Sequence, residues 1–144
     1  MTEISETAAR GASALRVLIG RLRRRLQEVY DVSDFTPSQT SVLSRLSKDG
    51  PASASDLAAA ERVRPQSIAA TLAVLGERGM IQRRPDPNDG RRQVISLSEN
   101  AHEHIRSGRA ARNEWLSRQL EDRYTEEERQ KILEVLALLE RLTD

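Results

Sequence analysis

The sequence predicts a mainly α-helical fold with a small β wing, meaning a short hairpin that projects from a helical body. Apolar residues recur at three- and four-residue steps along most of the chain, which is the spacing of one helix face. Helix-start patterns, in which Ser or Thr precedes an acidic or amide residue by three positions, occur at Thr36, Ser53 and Thr125. Two short runs on either side of a cluster of turn formers, within 81–97, predict the hairpin.

The first predicted element is a long N-terminal helix. Residues Met1 to Arg10 are polar, and we expect them to be frayed. The apolar face of the helix comprises Leu15, Leu18, Leu22, Leu26 and Val29. A break follows over 31–35, and Thr36 with Gln39 then predicts a second helix. The buried side of that second helix is predicted to comprise Val42, Leu43 and Leu46.

A pair of short helices joined by a turn is predicted next. Ser53 with Asp56 opens the first of them, which runs to Glu61, and residues 62–64 form the turn. Pro65 then occupies the first position of the second helix, where its missing N–H is harmless. The inward face of this helix is predicted to comprise Ile68, Leu72 and Leu75. Its opposite face comprises Gln66, Ala70, Ala73 and Glu77.

The hairpin follows Gly79, which is predicted to end the second short helix in the left-handed conformation. Its strands are predicted at Ile81–Arg84 and Val94–Leu97, with Ala52–Ser53 as a short third strand. The residues between them, 85–90 (PDPNDG), are turn formers. Helix, turn, helix and hairpin in this order are typical of a winged helix-turn-helix and indicate binding to double-stranded DNA.

Two further helices are predicted after the hairpin. Ser98 is expected to cap a long helix that ends near Asp122, and Thr125 with Glu128 predicts the start of the last helix. The apolar positions of the last helix comprise Ile132, Leu133, Val135, Leu136, Leu138, Leu139 and Leu142. Leucine-rich helices at both ends of so short a chain predict a surface that a second copy of the chain covers.

The exposed face of the second short helix carries the groups expected to read DNA. Gln66 can form two hydrogen bonds to an adenine edge, and a residue as small as Ala70 allows contact with thymine methyl groups. The residues predicted to lie in the major groove are Pro65, Gln66, Ser67 and Ala70. The residues predicted to hold phosphates are Arg62, Arg64 and Arg84.

The tip of the hairpin carries three further candidate DNA contacts, Asp89, Arg91 and Arg92. A narrow A·T-rich minor groove has an enhanced negative potential, and either Arg91 or Arg92 is predicted to enter it. Asp89 is expected to pair with one of these two arginines and to hold the shape of the loop. Arg83 and Arg84 are successive strand residues, so at most one of them faces the same way as the tip.

Length and charge bound the remaining possibilities. The 144 residues predict a single domain over 1–144, with a winged-helix DNA-binding lobe over 35–98 and dimerisation helices over 1–34 and 99–144. The formal net charge is only +1, but residues 62–92 contain seven arginines and three acids, a balance of +4. A local excess of positive charge is what a DNA surface requires.

Other classes of protein find no support in the residues. The chain has no cysteine, which excludes disulfides and thiolate chemistry and fits a cytoplasmic protein, and no membrane span is predicted. No nucleophile–base pair, metal cluster or phosphate loop is visible, so we predict that the protein is no enzyme and uses no cofactor or metal. His102 and His104 point in different directions on a helix and cannot hold one metal ion. The alternative to DNA binding is a winged-helix adaptor that contacts other proteins.

The hairpin and the helix before it resemble those of the MarR family of bacterial transcription regulators. Residues 89–91 (DGR) match the D-x-R pattern of the family's wing, and the apolar strand 94–97 and a long helix follow as in the family. Residues 75–83 (LGERGMIQR) match the family's helix-end phrase, and the likeness covers almost the whole chain. Two positions depart from the family pattern. Gly76 replaces a residue that is more often acidic, and Arg64 stands where a serine cap is frequent.

The resemblance implies a homodimeric repressor that binds a short inverted repeat of double-stranded DNA. It also implies release by a small aromatic or anionic ligand, seated between the dimer helices and the DNA-binding lobe. No residue identifies that ligand, so the effector-binding residues are unknown.

Overall fold

The computed structural model describes residues 3–29 and 35–144, and within them it has six helices and one three-stranded antiparallel sheet. The elements in chain order are α1 (Glu6–Val29), α2 (Pro37–Asp49), β1 (Ala52–Ser53), α3 (Ala54–Glu61), α4 (Pro65–Glu77), β2 (Ile81–Pro85), β3 (Gln93–Leu97), α5 (Glu99–Arg123) and α6 (Glu126–Glu140). This order confirms the predicted mainly α-helical fold with a small β wing.

The start of α1 corrects one expectation from the sequence. The chain is helical from Glu6 onward, so the prediction of fraying up to Arg10 is wrong for residues 6–10. The physical reason is a local cap, because the Ser5 hydroxyl accepts a hydrogen bond from the Ala8 N–H at 3.2 Å. The break predicted over 31–35 lies, except for its last residue, outside the described residues.

The described residues fall into two compact units. The winged-helix unit is the described part of Val32–Gly108, and the helical unit is the described part of Met1–Asp31 together with Arg109–Asp144. Helix α5 therefore contributes its first turns to one unit and its remainder to the other. In neither described range is any helix long and apolar enough to cross a lipid bilayer.

The winged-helix unit is built around an apolar core. Its largest fully buried side chains are Val42, Leu57, Leu72, Leu75 and Ile95. They come from α2, α3, α4 and β3, and Ile81 of β2 belongs to the same cluster, so the helix and the strand that carry candidate DNA contacts rest on one packed interior. The predicted inward faces of α2 and α4 are confirmed, since the apolar residues named for them are all buried. Burial of this kind, rather than helix propensity, holds such short helices in place.

The sheet has the strand order β1-β3-β2, which confirms the short third strand predicted at 52–53. In the hairpin, Ile81 pairs with Leu97 and Arg84 pairs with Val94. Ile81 and Leu97 are buried, whereas the rest of β2 is exposed. The hairpin therefore has one end anchored in the core and its other end exposed.

Helix α4 ends at a left-handed glycine, as predicted. Gly79 has a φ of +70°, its N–H donates to the Gly76 carbonyl (3.1 Å), and the Met80 N–H donates to the Leu75 carbonyl (2.9 Å). These two bonds satisfy carbonyl groups of the last helical turn and redirect the chain into β2. Any other residue at position 79 would be strained at this φ.

Ser98 connects the hairpin to α5, and its removal is expected to destabilise the winged-helix unit. Its buried hydroxyl donates to the Gly79 carbonyl (2.5 Å) and accepts from the Ala101 N–H (3.1 Å). Because Ser98→Ala removes the partner of both groups, we expect the free energy of unfolding, measured by urea titration, to fall by about 1–3 kcal/mol. The exposed Ser107 of α5 provides the control Ser107→Ala. A Ser98→Ala protein as stable as the wild type would contradict this account.

The helical unit buries little surface within a single chain. No residue of α1 or of α6 is buried. The large exposed apolar side chains of these helices and the residues after them are Val17, Leu18, Ile19, Leu22, Leu133, Val135, Leu136, Leu138 and Leu142. Helices that bury so few side chains have little tertiary packing to stabilise them.

Arg129 holds the junction between α5 and α6. One guanidinium nitrogen donates to the carbonyl of Leu120 (3.5 Å) in the last turn of α5 and to that of Tyr124 (2.6 Å), which directly follows the helix. The other pairs with Glu126 at 3.0 Å. Hydrogen bonds from Gln130 and then from Arg129 lower the pKa of Glu126 below its usual value.

Candidate nucleic-acid interface

Helix α4 presents a face of small and polar side chains, and this face is exposed as predicted. The exposed residues of this face are Gln66, Ala70, Ala73 and Glu77, with Pro65 and Ser67 also exposed in the first turn. On the opposite side, Leu72 and Leu75 are fully buried and fix the rotation of the helix about its axis. Ala70 and Ala73 in the middle of this face allow a ligand to approach the backbone of α4 closely.

The N-terminus of α4 has no side-chain cap. Arg64 occupies the N-cap position with an extended backbone, but its side chain makes no capping hydrogen bond. Pro65 has no N–H, and the first N–H groups that bond within the helix are those of Ser67 (3.0 Å) and Ile68 (3.2 Å), both to the Arg64 carbonyl. A helix start of this kind attracts anions, because its partial positive charge is not offset by a capping oxygen.

The turn between α3 and α4 depends on an unusual backbone conformation at Arg62. Its φ of +56° and ψ of +43° lie in the left-handed region, and it is the only non-glycine residue with positive φ in the described ranges. The turn is closed by the N–H groups of Arg62 and Val63, which donate to the carbonyls of Ala59 (3.2 Å) and Ala58 (3.0 Å). This conformation costs an L-residue about 1–2 kcal/mol. The sequence located the turn but did not reveal its conformation, for which glycine is the usual signal.

A polar cluster that the sequence analysis did not predict holds the end of α3 against α2. The half-buried Glu61 accepts from the Ser41 hydroxyl (2.9 Å) and from Arg45 Nε (3.0 Å). Arg45 also donates to the Ala60 carbonyl (3.4 Å). These contacts fix the end of α3, from which the turn at Arg62 begins. No local sequence pattern predicts these contacts, since their partners are 15 to 20 residues apart.

The loop of the wing is closed by hydrogen bonds of its own. The Asp86 N–H donates to the Arg92 carbonyl (2.9 Å), and the Arg92 N–H donates to the Asp89 carbonyl (3.0 Å). Two carboxylates also accept backbone bonds, Asp86 from the Asn88 N–H (2.8 Å) and Asp89 from the Arg91 N–H (3.0 Å). Asp89 thus shapes the loop as expected, but through a backbone amide. The ion pair predicted between Asp89 and Arg91 or Arg92 does not form among the described residues.

The two arginines of the wing have different surroundings. The Arg92 guanidinium donates to the Ser53 hydroxyl (2.6 Å) and pairs with the Asp56 carboxylate (3.3 Å). The Arg91 guanidinium is exposed and has no hydrogen-bond or ion-pair partner in the described part of the chain. Arg91 is therefore available to a ligand as the structure stands, and Arg92 is engaged.

Arg83 and Arg84 lie on opposite faces of the hairpin. Arg83 pairs with the buried Ile95, so it lies on the face of the hairpin that packs on the core nearer its base. Arg84 pairs with Val94 and lies on the opposite face. Both side chains are exposed. The structure thus agrees with the inference that at most one of them faces the same way as the tip.

Helix α4, the turn before it and the wing all carry side chains with the chemistry of a polyanion-binding site. The exposed arginines without a partner among the described residues of 62–92 are Arg62, Arg64, Arg83, Arg84 and Arg91. Guanidinium groups without ion-pair partners can bind phosphate oxygens with little loss of existing contacts. Hydrogen-bonding groups that can read base edges lie on α4, between the arginines of the turn and those of the wing in sequence.

Known proteins are similar to this chain in sequence and in fold. The model of the MarR family matches residues 35–92. The HTH-type transcriptional regulator MT0903.1 of Mycobacterium tuberculosis is 38% identical over 115 residues, which are 80% of each chain. The structure of the transcriptional regulator Tm0710 from Thermotoga maritima matches with a TM-score of 0.83 over 93% of this chain and 94% of that one, at 22% identity.

A further solved structure has the same fold. A mutant of S. aureus MepR, solved bound to an oligodeoxyribonucleotide, matches with a TM-score of 0.68 at 19% identity, over 99% of this chain and 100% of that one. At these identities the two structures show the fold alone. The family model and the mycobacterial relative go further, and on their evidence the chain belongs to the MarR family and is a transcriptional regulator with a helix-turn-helix.

Proposed function

We propose that this regulator binds double-stranded DNA in a sequence-specific manner, as a homodimer on a short inverted repeat. The observation that carries the proposal is the outer face of α4, which is exposed, has small residues at Ala70 and Ala73, and follows two arginines that have no partner among the described residues. A helix of this kind fits the major groove of B-DNA, where base edges present distinct hydrogen-bonding patterns. Regulators of the MarR family are not enzymes, so no reaction is assigned.

Each predicted contact has a role in this arrangement. The residues that read bases in the major groove are Gln66, Ser67 and Ala70, with Pro65 at the helix start. The residues that hold phosphates are Arg62, Arg64 and Arg84. At the wing either Arg91 or Arg92 enters the minor groove, and Arg91 is favoured because its guanidinium has no partner among the described residues. Asp89 holds the loop from which that arginine projects.

The apolar surface of α1 and α6 supports the homodimer. No residue of either helix is buried within one chain, although both carry several large apolar side chains. Covering these side chains with a second copy removes apolar area from water and gives the helices the packing that they lack. A two-fold dimer would then place two α4 helices about 34 Å apart, one turn of DNA. The MepR mutant, which shares the fold, was itself solved on an oligodeoxyribonucleotide.

Repression and release by a small aromatic or anionic ligand are the finer part of the proposal. Membership in the family supports both.

The experiment that tests the function is a mobility shift with DNA from beside the protein's own gene, repeated across salt and with a panel of phenolic acids. We expect the affinity to fall steeply as salt rises, because phosphate contacts release counterions. Loss of the complex on addition of a phenolic acid would support the ligand. Weak binding without salt dependence would refute the DNA-binding proposal and favour the winged-helix adaptor.

Gln66 provides the test of base reading. Replacing Gln66 with alanine is expected to remove about 1–3 kcal/mol of discrimination at one operator position, because a bidentate contact is lost. Non-specific affinity should stay the same, since Gln66 carries no charge. Competition between operators that differ at single positions measures the effect, and the exposed Gln130 of α6 provides the control Gln130→Ala. Equal weakening on every sequence would show that Gln66 does not read bases.

A further inference from the structure

We propose that Arg92 is a positioning residue, which fixes the wing to the start of α3 so that Arg91 is held ready for DNA. We call the contact of Arg92 with Ser53 and Asp56 the wing clasp. The proposal rests on the proposed DNA binding and deepens it, because it divides the work between two neighbouring arginines. In this division Arg91 contacts the duplex and Arg92 does not.

The side chain of Arg92 joins parts of the chain that are far apart in sequence. Its Nη2 atom donates to the Ser53 hydroxyl 39 residues away (2.6 Å) and to the Asp56 carboxylate 36 residues away (3.3 Å). Ser53 is buried, and the same hydroxyl accepts the Asp56 N–H at 3.1 Å as the cap of α3. The wing is thus attached to a group that the first turn of α3 already holds.

The backbone of Arg92 is used as fully as its side chain. Its carbonyl accepts from the Asp86 N–H (2.9 Å) at the start of the loop, and its N–H donates to the Asp89 carbonyl (3.0 Å). Residue 92 therefore closes the loop and also ties the closed loop to the body of the unit. The Nη2 atom of the guanidinium is engaged in this way, so the wing clasp fixes the direction in which the Arg92 side chain extends.

Arg91 shows the opposite pattern. Its N–H is fixed by the Asp89 carboxylate (3.0 Å), whereas its guanidinium has no partner in the described part of the chain. The backbone of Arg91 is thus held on one side by Asp89 and on the other by the wing clasp, whereas no described residue holds its side chain. Holding a contact residue in place before binding raises affinity, because less conformational freedom is lost in the complex.

The wing clasp contributes to binding and not to overall stability. The Arg92 and Asp56 side chains are 45% and 65% exposed, and ion pairs this exposed add little to folding. Arg92→Ala is therefore expected to keep the thermal midpoint of the wild type while it weakens binding to the operator. Unchanged stability separates a positioning role from a merely structural one.

A double-mutant cycle with Arg91 tests the division of work. Arg92→Ala is expected to weaken operator binding about 5-fold when residue 91 is arginine, but less than about 2-fold in the Arg91→Ala background, where the positioned group is already gone. Fluorescence anisotropy at one fixed salt concentration measures all four proteins. An equal factor in both backgrounds would overturn the proposal, because it would mean that Arg92 contacts DNA itself.

A substitution of Asp56 distinguishes the two explanations, because they predict opposite changes in DNA affinity. If Arg92 were a phosphate ligand restrained by Asp56, Asp56→Asn would strengthen binding, because an acid near the DNA is lost. The wing clasp predicts a weakening of about 2-fold instead. Asp122→Asn removes the same charge from an exposed position of α5, outside the winged-helix unit, and is the control. An unchanged or higher affinity of Asp56→Asn would count against the proposal.

Amide hydrogen exchange of the free protein separates this proposal from DNA binding itself. Arg92→Ala should speed exchange of the Asp86 and Arg91 amides, whose hydrogen bonds close the loop, whereas Arg84→Ala should not. Faster exchange in a protein that binds no DNA would leave the wing clasp standing and refute the proposed function. Unchanged exchange in an Arg92→Ala protein whose operator binding is impaired would overturn the wing clasp alone.

Discussion

Replacing Arg91 with alanine is expected to weaken operator binding by about 1–3 kcal/mol without unfolding the protein. The reason is that the guanidinium of Arg91 is exposed and has no partner among the described residues. A contact with DNA therefore breaks no existing contact of this side chain, and the substitution removes none from the folded protein. The negative potential of a narrow minor groove strengthens this contact relative to one at an open phosphate. Fluorescence anisotropy at fixed salt gives the affinity, and thermal melting shows whether the fold is intact.

A matched control shows whether position or charge matters. Arg109→Ala removes the same charge from an exposed position of α5, outside the interface, and should change affinity much less than Arg91→Ala. Losses of equal size would show that only net charge matters. If Arg91→Ala bound the operator as well as the wild type, the wing would have no part in recognition.

Disrupting the apolar surface of α6 is expected to have the largest effect on assembly. Leu138 is 60% exposed in the single chain, and in a homodimer it would be covered. Leu138→Glu would bury a carboxylate in that interface, so we expect the free energy of dimerisation to weaken by about 3 kcal/mol or more. Sedimentation equilibrium measures the change. Affinity for an inverted repeat should fall with it, since two linked contacts become independent ones.

Two further variants make the assembly test decisive. Ala137→Glu adds the same charge at the neighbouring exposed position, on the polar side of the helix with Gln130, Glu134 and Arg141, and should leave the dimer intact. Truncation before Glu128 removes nearly all of α6 and should give monomers or aggregate. A truncated protein that still sediments as a folded dimer would show that the dimer surface lies elsewhere.

Features with a local cause could be predicted from the sequence. The N-caps at Thr36, Ser53 and Thr125 each accept the N–H three residues ahead, as the spacing indicated. Gly79 adopts the left-handed conformation because the helix-end pattern requires it there. The inward face of α4 followed from the positions of three apolar residues. In all these cases the cause lies within a few residues of its effect.

Features that depend on the folded chain could not be predicted. The contact between Arg92 and Asp56 spans 36 residues, and nothing near either residue indicates it. The same is true of the bond between Ser41 and Glu61. For Asp89 the predicted role in shaping the loop is correct, but the predicted ion pair is wrong. An amide two residues ahead is closer to its carboxylate than a flexible guanidinium is. Arg62 carries no local signal for its left-handed backbone.

If the wing binds DNA as proposed, its closed loop limits the shape of DNA that the protein can accept. Four hydrogen bonds within residues 86–92 order the loop in the free protein. The conformational entropy of the loop is therefore lost when the protein folds and not when it binds DNA. A stiff projection cannot adapt to the duplex as a loose one would. In the proposed complex it would admit only stretches whose groove width already matches, and so would discriminate between sequences by their stiffness and curvature at base pairs that no side chain touches.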